Sequence, residues 1–214
     1  MPNNNGSLYG LTILSPILND PKATLSHDLQ IRKYLASLPT GEDSPFAMAP
    51  GTHLARLVVM DDVIYVGAPA CEEHLQSKYL IFEANLDAAD EAALDRYLLG
   101  LVSYIPEHLD AIWSHCAGYP GTANKAAFVQ YMRSCQLDTT FFFAAVNDKT
   151  VPETLKALTT QRAVADFIGR HQGMEAARLQ AEFLRFAAKL KSAPHAKAGS
   201  MGPYRQIKTG GHNE

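Results

Sequence analysis

Apolar and polar positions follow one another along this chain in a definite order of periods. Residues 8 to 17 (Leu-Tyr-Gly-Leu-Thr-Ile-Leu-Ser-Pro-Ile) form an apolar run closed by Pro16, which predicts a first strand from Leu8 to Ser15 because proline is tolerated at strand ends. Ser26 then stands as an N-cap, and Ile31, Tyr34, Leu35 and Leu38 recur at helical spacing until Pro39 stops them. After a loop rich in Pro, Gly and Asp, Thr52 to Met60 and Lys78 to Leu86 read as a second and a third strand, close enough in sequence to pair antiparallel. Asp87 is placed to cap a helix whose stripe is Leu94, Tyr97, Leu98 and Leu101, and Pro106 opens a shorter one carrying Leu109, Ile112 and Trp113. A turn at Cys116 to Gly121 separates these from the helical spacing of Phe128, Tyr131, Met132 and Cys135. Thr139 to Val146, with three successive phenylalanines, reads as a strand covered on both faces. Thr150-Val-Pro-Glu153 is a capping box that opens a further helix, and Gly173 divides it from the last, marked by Leu179, Phe183, Phe186 and Leu190.

Four strands and two crossovers in that order predict an α+β fold: a ferredoxin-like βαββαβ antiparallel sheet with helices on one face and a C-terminal helical extension. The other face of the sheet needs cover. On this element order and strand texture, over roughly Leu8 to Asn147, the chain resembles the dimeric α+β-barrel group of ferredoxin-like proteins. That resemblance implies a homodimer, or another homo-oligomer, in which a second sheet closes the open face. The group includes chlorite dismutases, dye-decolorising peroxidases, cofactor-free monooxygenases and small isomerases, so it implies small-molecule chemistry of an oxidative kind and allows haem as cofactor. The Gly-x-x-Asp-Gly haem motif of the dye-decolorising peroxidases does not occur in this sequence.

Composition narrows the classes further. With 214 residues, 47% hydrophobic and 19% charged, the chain has the makeup of one soluble domain, expected over residues 8–191, with a flexible N-terminus at 1–7 and a disordered basic tail at 192–214. No apolar run reaches the roughly 18 residues of a membrane span, and the first ten residues are polar, so a cytoplasmic protein without membrane contact is expected. Cys71, Cys116 and Cys135 make an odd, unpaired set that fits reduced thiols, and the net charge of −3 gives no reason to expect nucleic acid. Lys189, Lys191, Lys197, Arg205 and Lys208 make the C-terminal end locally basic, as a solvated charge run does. The Gly-x-Gly-x-x-Gly, phosphate-loop, Gly-x-Ser-x-Gly and His-Glu-x-x-His signatures are missing, which argues against nucleotide cofactors, serine hydrolysis and zinc peptidase chemistry.

Four residues are candidates for catalysis. Arg56 lies inside an otherwise apolar strand, where a guanidinium could hold a substrate carboxylate or pair with Glu83 across the sheet. His53 is a candidate because an imidazole can serve as acid or base, but in a regular strand it faces away from Arg56, so the two share a pocket only if a bulge intervenes. His115 and Tyr119 lie in the turn Trp113 to Gly121; His115 could shuttle protons or ligate a metal, and Tyr119 could donate to a bound oxygen. Both also fit a structural turn anchored by Trp113. Cys116 and Cys135 are expected to be inert thiols, and no set of zinc ligands accompanies His115. The resulting expectation is a small-molecule enzyme, peroxidase- or monooxygenase-like, with an apolar cavity beside the sheet. The alternative is a non-catalytic small-molecule-binding or oligomeric scaffold protein.

Overall fold

Alternation decides which way each strand faces. In a computed structural model describing residues 3–64, 67–68 and 74–202, β1 spans Asn4–Asn5, β2 Leu8–Pro16, β3 Thr52–Met60 and β4 Tyr79–Asp87. Tyr9, Leu11 and Ile13 of β2, and Leu80, Phe82, Ala84 and Leu86 of β4, are buried, whereas the residues between them are only half-covered. The strands form one antiparallel sheet in the order β1-β2-β4-β3.

Helices α1 (His27–Ser37), α2 (Glu91–Tyr104), α3 (Pro106–Trp113) and α4 (Lys125–Ser134) bury Ile31, Leu98, Trp113 and Phe128 in the same core as the strands' inner face. Trp113 meets the edge of Phe82 at 5.5 Å between ring centroids, and its indole N–H donates to the Ser15 hydroxyl at 3.2 Å, so this large ring is buried without an unmet donor. None of the described helices is long and apolar enough to cross a membrane.

The expected strand at Thr139–Val146 does not form. The outer edge of β2 is instead filled in pieces by other segments. β1 pairs with Leu8 and Tyr9, the Leu14 amide donates to Cys135 O and the Leu137 amide to Thr12 O, and the Ala117 amide donates to Pro16 O. The chain after Leu137 finds that ladder occupied and is tied down by side chains instead. Asn3 Oδ1 accepts from the Thr139 amide at 2.6 Å, and Asn5 Nδ2 donates to Phe142 O at 3.2 Å. Phe141 and Phe143 therefore stand 82% and 72% exposed, while Phe142 turns onto the outer face of β2. Gly10 permits that approach, because a Cβ there would lie 3.1 Å from the Phe142 ring.

Helices α5 (Val151–Arg170) and α6 (Ala176–Ser192) form the C-terminal extension, turning at Gly173 with φ +73°. Both halves of the Thr150–Glu153 capping box are made. Phe167 stacks on Phe186 at 4.6 Å between the helices, and Lys156 Nζ donates to Leu190 O at the end of α6. Past Ser192, where the tail was expected to be disordered, the Ala196 amide donates to Thr159 Oγ1 at 3.1 Å, so the chain turns back along α5. Arg205 and Lys208 of that tail, and Cys71, lie outside the described residues.

Candidate functional site on the open face of the sheet

The register aligns a second set of side chains on the face turned away from the helices. Across it run Leu14, Ile81 and Val58; then Thr12, Glu83 and Arg56; then Gly10, Asn85 and Leu54. Arg56 directs both Nε, at 2.8 Å, and Nη2 onto Glu83 Oε2, so the cross-strand pair expected from the sequence is formed. The remaining guanidinium N–H groups face outward, since the Arg56 side chain is 64% exposed.

A register shift between Thr52 and Leu54 supplies the bulge needed to bring His53 to the same face. Thr52 sits opposite Leu86 and Leu54 opposite Asn85, leaving His53 as the extra residue. Thr52 thereby points inward, its hydroxyl 2.9 Å from the Tyr97 hydroxyl, and His53 Nε2 lies 2.7 Å from Asp87 Oδ1. Asp87 does not cap α2 as expected; Asp90 does, accepting from the Ala93 amide. Asp87 is thus available to His53, and its second oxygen accepts from the Val151 amide at the start of α5 at 3.0 Å. The two side chains are 21% and 19% exposed, although His53 as a whole residue lies at the surface, where its bulged backbone is open to solvent. A carboxylate on Nε2 fixes the imidazole ring and leaves Nδ1 as the atom that takes or gives a proton.

His115 and Tyr119 do not join this face. His115 follows α3, its carbonyl accepts from the Leu18 amide, and its Nδ1 lies 2.9 Å from Nδ1 of His27, with ring centroids 5.2 Å apart. At that separation one of the two nitrogens donates a proton to the other. Burial first, and then the neighbouring His27, lower the His115 pKa below the usual histidine value. Tyr119 donates to Asp110 Oδ1 at 2.8 Å, and the Thr122 hydroxyl and amide bind the same carboxylate. Burial and this aspartate hold the Tyr119 hydroxyl far above the ordinary phenol range. Burial likewise pushes the Cys116 thiol up to about 12, with Cys135 nearby adding to it, so it is no ready nucleophile.

These commitments bear on haem. A histidine that ligates iron through Nε2 also commits Nδ1 to a neighbour, as His115 does to His27, but the Tyr119 hydroxyl expected to serve a bound oxygen serves Asp110 instead. Among the described residues, no three His, Cys, Asp or Glu side chains gather as metal ligands. Asp87, His27 and Asp110 are the residues that sequence reasoning missed in these roles. Only the His53–Asp87 pair had a usable signal, an acidic residue closing one strand beside a histidine opening its neighbour.

Comparison with protein-family models, with curated proteins and with solved structures found no match for this chain.

Proposed function

We propose that the chain is a small-molecule enzyme whose site is the open face of the sheet, with Arg56 holding an anionic group of the substrate and His53 transferring a proton under the control of Asp87. The bulge at His53 carries this proposal. It sets an acid–base dyad on the same face as an outward-facing guanidinium, among the apolar side chains of Leu54, Val58, Ile81 and Leu14. Proton withdrawal from a carbon acid also opens a cofactor-free route to oxidation by dioxygen, which is the form the oxidative expectation takes here.

A ferredoxin-like order is supported by the stretch Cys135 to Leu137, which lies antiparallel along β2 on the side away from β4, where such a fold puts its last strand. The cover for the face is a second copy of the chain. Leu54 and Val58 are 53% and 42% exposed on it, and the Arg56–Glu83 pair can exchange partners across a two-fold axis. That same feature favours an alternative, an oligomeric scaffold that binds small molecules without turnover.

The test pairs thermal denaturation with simple carboxylates, benzoate and hexanoate, at ten times their Kd. Bound ligand adds about 1.4 kcal/mol, a rise of roughly 3–6 °C, in wild type and none in Arg56→Ala. No rise in wild type, or an equal rise in the variant, refutes Arg56 as the anion site. Light scattering at micromolar protein reports a dimer if the second copy is the cover; a monomer removes it. Turnover that survives His53→Asn removes His53 as the residue that transfers the proton, and a wild-type chain that turns nothing over leaves only the scaffold.

A further inference from the structure

Asp87 is held from two directions, and only one of them is the histidine. Its Oδ1 faces His53 Nε2 at 2.7 Å, and its Oδ2 accepts the backbone N–H of Val151 at 3.0 Å. Val151 is the first residue of α5, one of the four positions whose amides have no acceptor inside the helix. The other available side-chain cap is already spent, because Thr150 accepts from the Glu153 amide and Glu153 binds back to Thr150. Gly51, at φ +86°, closes the far side of Asp87, since a Cβ there would stand 3.3 Å from the aspartate Cβ.

We infer that Val151 is a positioning residue, through whose amide the C-terminal helical hairpin sets the orientation of Asp87 and therefore of the His53 imidazole. The inference rests on the open-face site proposed above for its functional meaning, though not for its geometry. A carboxylate with one oxygen pinned by a backbone amide cannot rotate away from the imidazole without breaking that bond. Displacing α5 by one hydrogen bond length releases that rotation. The dyad on the sheet and the hairpin outside it are thus coupled through a single bond, and what stabilises either one stabilises the other.

Proline at position 151 deletes this N–H and little else. The first helical position tolerates proline because its amide has no intrahelical partner, and Thr150 already has the extended backbone, φ −73° and ψ 164°, that a following proline demands. Val151→Gly is the control that shortens the side chain and keeps the amide. The readout is the His53 Nε2 proton in nitrogen-15 spectra of the full chain, assigned by its loss in His53→Asn. In wild type and Val151→Gly it exchanges slowly with water. In Val151→Pro it exchanges about tenfold faster or is lost, at unchanged helix content. Equal exchange in the proline and glycine variants overturns the proposal. If Val151→Pro fails to fold, the through-hydrogen-bond coupling between the Val151 amide nitrogen and the Asp87 carboxylate carbon is read in wild type instead, and its absence overturns the proposal. Failure of the carboxylate-binding test with a positive result here would sink the site while leaving the coupling in place.

Discussion

Asp110→Ala removes one carboxylate that accepts from the Tyr119 hydroxyl at 2.8 Å, the Thr122 hydroxyl at 2.7 Å and the Thr122 amide at 3.0 Å. Hydrogen bonds to a charged group contribute about 1.5–3 kcal/mol each, but three on one acceptor are lost together and do not add in full. Thr122 is only 8% exposed, so water replaces the acceptor poorly. Alanine restores about 0.6 kcal/mol of helix propensity within α3. The balance is a loss of about 3 kcal/mol, or roughly 6–12 °C in Tm for a chain of this length. Urea unfolding followed by the fluorescence of Trp113, the one tryptophan of the chain, measures it directly. Tyr119→Phe removes a single bond and should cost about 1 kcal/mol, with substrate turnover unchanged. A loss below 1 kcal/mol for Asp110→Ala, or turnover abolished by Tyr119→Phe, would refute the assignment of Tyr119 to structure.

Two further perturbations follow from the packing. His115 has a lowered folded pKa, so its contribution to stability is complete above the unfolded histidine value of about 6.5 and disappears as pH falls through the lower folded value. Urea midpoints should therefore drop between pH 7 and pH 5 more steeply in wild type than in His115→Gln; parallel slopes would show that the pair with His27 does not matter to folding. Gly10→Ala should cost about 1 kcal/mol by forcing Phe142 off the sheet, and be neutral or stabilising in a Phe142→Ala background, where the 3.1 Å clash is absent. Additive effects in that double-mutant cycle would mean the ring does not rest on β2.

The long periodic elements were legible because each obeys one period over many residues. The second strand was expected at its observed bounds, Thr52–Met60, and the helix opened by Thr150 carries both halves of its cap. Failures arose where a tertiary partner overrode local texture. Phe141 to Phe143 have every local preference for a strand, but pairing depends on a free edge, and Asn4–Asn5, two residues of poor strand propensity, hold it through a tight turn at Gly6. The candidate site divided in the same way. Arg56 was conspicuous for being charged among apolar neighbours, and its partner Glu83 followed from the pairing. His53 depended on a bulge that has no sequence signature here, and a His27–His115 contact across 88 positions is invisible to any local period.

The charges on the open face also constrain how it can be covered. Antiparallel sheets tolerate water on one side when that side is polar, yet here Leu14, Leu54, Val58, Met60 and Ile81 share it with the Arg56–Glu83 ion pair and the His53–Asp87 hydrogen bond. An exposed pair such as Arg56–Glu83 contributes at most about 1 kcal/mol, so neither component of the face gains much from solvent contact alone. A partner sheet lying flush would bury the apolar residues but also strip water from Arg56, Glu83, His53 and Asp87, and desolvating ion pairs costs more than their attraction returns unless every donor is met. Contact over Leu14, Ile81 and Val58 with a gap left over His53 and Arg56 satisfies both demands. In the proposed dimer the gap would then follow from the charges, and an anionic ligand meeting the outward guanidinium N–H groups would let it close.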